Sequence, residues 1–111
     1  MENLSRLRGA SRVRPAGRVK QLGFKGTMIH GHTRGSFLDD RKYWGIFEVA
    51  EKLDVPIYLH PTYPHPDAVK AYFGGYEDLA RAAWGFAIDA GTHFLRIAMA
   101  GVLDRFPKLT F

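Results

Sequence analysis

An alternation constrains this chain more than any other feature. "TMIH" at residues 27–30 and "VPIYLH" at 55–60 are short buried-strand patterns, each ending in histidine. Between them Tyr43, Ile46, Phe47, Ala50 and Leu53 recur at helical spacing and form one apolar face. Asp39 and Asp40 stand where a helix cap belongs, and Asp54 closes the helix. Strand, helix, strand in that order implies parallel strands joined by a helical crossover, because a tight hairpin joins only antiparallel neighbours. Pro56, at the start of its strand, can forgo a ladder bond.

Downstream the pattern continues. "PTYPHPDAVKAYFGGYED" (61–78) holds three prolines and two glycines, which forbid one continuous element. Residues 66–73 within it read as a short helix. Leu79 to Ala100 predicts a long, mostly apolar helix with weak points at Gly85 and Gly91. "GVLDRFP" predicts a helical turn closed by Pro107, and "KLTF" (108–111) the opening of a third strand. The expected class is α/β with a parallel sheet. Three parallel strands leave both sheet edges open, and such sheets normally have both faces covered. The sequence therefore reads as a piece of a larger fold.

Composition sets outer limits. A chain of 111 residues, 46% hydrophobic, suits one small domain. It has no cysteine, which excludes disulfides and thiolate metal sites and suggests a reducing, cytoplasmic setting. No apolar run approaches the roughly 18 residues of a membrane span, and the basic N-terminus lacks the apolar core of a secretory signal. The net charge of +5 is unevenly placed: in residues 1–25 seven basic side chains face Glu2 alone. Residues 1–20 are read as a basic arm, disordered or not native to the fold, ahead of a domain at 21–111. Such an arm can hold an anionic surface, but no aromatic residue between 1 and 23 offers bases a stacking platform. Nucleic acid is therefore not the expected partner.

The histidines are the candidate chemistry. His60 ends a buried strand, the position where functional groups gather in α/β barrels. On position alone it is either a metal ligand or a core histidine. His30 and His32 form H-x-H, and period-two spacing would put both on one face. If Gly31 already belongs to the loop, they are instead two separate loop-end groups. His65, between two prolines, is expected in solvent or at a site rim. His93, one helical turn after Asp89, is expected as a hydrogen-bonded core group; the alternative is a supporting role behind the site, with its ring oriented by Asp89. A phosphate loop, a G-x-S-x-G elbow and a cysteine nucleophile are all missing from the sequence.

Residues 21–111 resemble a known family. "LDDRKYWGIFEVAEKLDVPIYLHP" and "GVLDRFPKLTF" are similar to the amidohydrolase-related branch of the metal-dependent hydrolases, nearest to the aromatic-acid decarboxylases acting on γ-resorcylate, 2,3-dihydroxybenzoate and 5-carboxyvanillate. The resemblance implies a partial (β/α)8 TIM barrel, with 26–30 as the fourth strand, 56–60 the fifth and 108–111 the start of the sixth. A complete barrel takes about 250 residues.

It also implies one divalent metal ion (zinc, manganese or magnesium), a small carboxylic acid substrate, a homo-oligomeric parent enzyme and decarboxylation. Hydrolysis within the same superfamily is the alternative activity. A small non-enzymatic α/β module, whose basic arm binds nucleic acid or a partner, is the alternative class. His60 corresponds to the family's fifth-strand metal ligand. His30 and His32, at the end of the fourth strand, are expected near the substrate. No catalytic residue is expected within the chain, since the family's sixth-strand histidine would follow just after Phe111. With a single ligand, the 111 residues are expected to be inactive alone.

Overall fold

A computed structural model describes residues 23–111. The domain boundary expected at residue 21 and the reading of residues 1–20 lie outside the described residues. β1 (Thr27–His30) and β2 (Ile57–His60) form a two-stranded parallel sheet with Thr27 beside Ile57 and His30 beside His60. The ladder extends at both ends: Thr27 N–H donates to Pro56 O at 3.1 Å and Gly31 N–H to His60 O at 3.0 Å. Gly26 permits the first approach, because a Cβ there would lie 2.8 Å from Pro56 O.

The crossover is helical, as the spacing predicts. Asp40 accepts from Lys42 N–H and caps a 3-10 turn, Arg41–Tyr43, which leads into α1 (Trp44–Leu53). Phe47 and Ala50 are the buried positions of α1. The helix stops at Asp54, which takes the left-handed conformation (φ 51°) and returns its N–H to Ala50 O and Glu51 O.

After β2, α2 (Pro66–Phe73) begins with proline at its first position, where the missing N–H costs nothing. A 3-10 turn at Glu77–Ala80 follows, then α3 (Gly85–Met99) and α4 (Val102–Arg105). The long helix expected from Leu79 therefore starts later, at Gly85. Ala80 is fully buried, and a Cβ on Gly85 would lie 2.0 Å from its carbonyl oxygen. Glycine lets the chain fold back on itself there rather than run straight. Residues 108–111 form no strand, yet Ile57 N–H donates to Thr110 O at 2.9 Å, which sets this segment against the free edge of β2.

Packing divides the sheet into two unlike faces. Ile29 and Ile57 join Leu38, Phe47, Ala50, Ile97, Val102 and Phe106 in the main core, with α1, α3 and α4 on that side. Each fully buried large side chain contributes about 2 kcal/mol of transfer free energy. By strand alternation the opposite face carries Met28 and His30 from β1, and Tyr58 and His60 from β2. Met28 and Tyr58 are 42% and 60% exposed, so no helix of the described residues covers that face. No helix among the described residues is long and apolar enough to cross a membrane.

Candidate functional site

The uncovered face ends in two histidines. His30 and His60 are register partners at the C-terminal ends of their strands, and their rings lie 4.5 Å apart between centroids. His60 Nδ1 is 2.7 Å from Pro61 O. A carbonyl oxygen only accepts, so Nδ1 carries a proton, and in the neutral ring the lone pair is then on Nε2. Burial, and then the neighbouring His60, hold the His30 pKa below its ordinary value, which favours a neutral ring.

Gly31 separates the H-x-H pair. It sits in a bend with φ 25° and is buried. A Cβ there would lie 2.2 Å from Thr62 Cγ2 and 2.8 Å from Asp89 Oδ2. Strand alternation therefore ends at His30. His32 instead enters the turn closed by Thr33 and Ser36, where its Nδ1 accepts from Gly35 N–H at 3.1 Å. Its ring neighbours are Phe37 and His65. His65 caps α2, accepting from Asp67 N–H at 3.2 Å, and is exposed at the rim.

α3 supplies the floor. Its buried stripe is Gly85, Asp89, His93 and Ile97, one residue per turn. Asp89 is 4% exposed and accepts from Thr62 N–H at 2.9 Å. Burial raises its pKa, opposed by that hydrogen bond and by His32. His93 is 1% exposed, and its Nε2 accepts from Leu38 N–H at 3.1 Å. Burial pushes its pKa down to about 4, so the ring is neutral. The core reading of His93 holds; its partner is the Leu38 amide. Asp89 instead binds the backbone just after β2, and helical spacing alone could not reveal that link. The bidentate Asp39–Arg96 pair, at 3.0 and 2.8 Å, ties the loop after β1 to α3.

A neutral His60 ring with Nδ1–H would leave Nε2 able to act as a donor atom to a metal, while no group of three or more histidine or acidic side chains stands ready for a metal among the described residues.

Comparison with known proteins shows the family. The family described as Amidohydrolase matches residues 14–111. The chain belongs to the amidohydrolase family. This amidohydrolase chain is 41% identical over 96 residues to the decarboxylase orsB of Emericella nidulans, covering 82% of the chain and 29% of that protein. A dihydroxybenzoic acid decarboxylase from Polaromonas sp., solved with bound manganese and the inhibitor 2-nitroresorcinol, superposes with TM-score 0.76 at 34% identity, over 84% of this chain and 30% of that one. A 5-carboxyvanillate decarboxylase from Sphingomonas paucimobilis gives TM-score 0.78 at 35% identity, over 90% and 30%. The chain thus spans about a third of the length of the relatives it matches.

Proposed function

We propose that this chain is part of a metal-dependent decarboxylase of aromatic or related carboxylic acids. One observation carries the reading. His60 ends a parallel strand on the uncovered sheet face, with Nδ1 committed to Pro61 O, which leaves Nε2 as the donor atom of the neutral ring. That is the state in which imidazole binds a metal. The decarboxylases among its relatives, and the manganese bound in the Polaromonas structure, support it. In this reading β1, β2 and residues 108–111 are the fourth, fifth and sixth strands of a (β/α)8 barrel. The hydrogen bond between Ile57 and Thr110 supports that order, and Met28, Tyr58, His30 and His60 face the barrel interior.

His60 would hold one divalent ion (zinc, manganese or magnesium) through Nε2. When bound, the ion supplies Lewis-acid and templating chemistry to a carboxylate. His30 stands beside it as a neutral ring and contacts the substrate. His32 accepts from Gly35 N–H at Nδ1, so its neutral ring keeps Nε2–H as a donor suited to a carboxylate oxygen. No residue of the chain is assigned as the catalytic acid.

A catalytic zinc usually has three protein ligands, and these residues supply one. The 111-residue chain by itself is then inactive and binds metal weakly. Manganese added to the purified chain should broaden the His60 ring signals first and leave well under one ion per chain after dialysis. Broadening that spares His60, or a stoichiometric ion by elemental analysis, would sink the reading.

A further inference from the structure

Asp89 and His60 touch two ends of one peptide group. Asp89 Oδ2 accepts the N–H of Thr62 at 2.9 Å. Pro61 O, the carbonyl of that same peptide, accepts from His60 Nδ1 at 2.7 Å. The peptide is trans, so its N–H and C=O point in opposite directions. The carboxylate, the peptide and the imidazole therefore form one hydrogen-bonded chain. A buried anion at the N–H end polarises the amide and strengthens its carbonyl as an acceptor, because hydrogen bonds in series reinforce one another.

We propose that Asp89 is the positioning residue for His60, acting through the Pro61–Thr62 peptide to hold the Nδ1–H tautomer and keep Nε2 bare for a ligand. The assignment rests on the metal-ligand reading only for its purpose; the coupling itself is a property of the metal-free chain. The surroundings serve the same link. Asp89 is 4% exposed, which shields it from competing water. Gly31 is the residue that leaves it room, since a Cβ would press on both Asp89 Oδ2 and Thr62. Gly31 N–H also holds His60 O at 3.0 Å, so the His60 backbone is fixed while the Pro61 carbonyl orients its ring. Second-sphere carboxylates usually reach a ligand histidine directly; here the backbone stands between them.

The test uses the full chain, metal-free, with isotope-labelled histidine and long-range proton–nitrogen correlation spectra at neutral pH. In the wild type His60 should show a protonated Nδ1 and an unprotonated Nε2. Asp89→Ala should shift His60 toward the Nε2–H form while His93, whose Nε2 is held by Leu38 N–H, stays unchanged. Asp89→Asn, which keeps an acceptor without the charge, should retain most of the Nδ1–H form. In that variant the Thr62 amide proton and the His60 Nδ1 proton should move upfield together, a readout that stands even if the alanine variant does not fold. The proposal is overturned if Asp89→Ala leaves the His60 tautomer as in the wild type. It is equally overturned if His60 and His93 change together, or if the Thr62 amide moves in Asp89→Asn without His60. Titration with zinc chloride alone separates the two readings. Affinity read at the His60 ring should fall about tenfold in Asp89→Asn, whereas a wild-type His60 that ignores zinc removes the ligand reading.

Discussion

His93 shows what burial does to one residue. Its ring accepts from the Leu38 amide and has almost no contact with water. Burial lowers its pKa from 6.5 to about 4; Asp39 opposes the shift, and Arg96 and His32 add to it. The unfolded chain therefore binds a proton between those values that the folded chain refuses. Stability attributable to this residue is complete above pH 6.5 and drains away as pH falls toward 4. The loss approaches about 3 kcal/mol at the acid end. Urea denaturation across this range should show that slope. His93→Gln, which keeps an acceptor for Leu38 N–H but cannot titrate, should be less stable at neutral pH and flatter below it. Equal slopes in the two proteins would count against the assignment.

At the scale of elements, termini decide where the chain turns. α1 ends on a left-handed Asp54, an exposed residue, rather than on glycine. A side chain in that conformation costs about 1 kcal/mol, and an acidic group at a helix C-terminus opposes the macrodipole. Asp54→Gly should therefore stabilise the chain by about 0.5–1 kcal/mol. The denaturation midpoint should rise at constant slope; a lower midpoint would contradict the account. α3 starts at Gly85 rather than at Leu79, where its composition predicts it. Alanine-rich sequence from Leu79 favours helix, but packing Ala80 against Gly85 outweighs a few tenths of a kcal/mol of propensity per residue.

Across the whole molecule, the two sheet faces differ. One buries Ile29 and Ile57 under three helices; the other presents Met28 and Tyr58 to solvent beneath the histidine pair. An apolar surface left open in this way binds hydrophobic dyes. The folded chain should enhance the fluorescence of such a dye, anilinonaphthalene sulfonate, in native buffer. Replacing Met28 and Tyr58 together by threonine, which keeps β propensity, should reduce that enhancement without lowering the denaturation midpoint by more than about 1 kcal/mol equivalent. An unchanged dye signal would mean that the exposed apolar surface lies elsewhere, at Leu95 or Met99 on α3 for example.

Local pattern alone determined the strand–helix–strand order, the parallel pairing and His60 at a strand end. Each follows from hydrophobic period and chain connectivity, which are written along the sequence. The contacts among Gly31, Thr62 and Asp89 were decided only in three dimensions. Asp89 lies 27 positions from Thr62, and a hydrogen bond over that separation exists only once α3 has packed against the sheet. The same packing gave His93 a backbone amide as its partner instead of Asp89, because the buried stripe of α3 meets two different loops one helical turn apart.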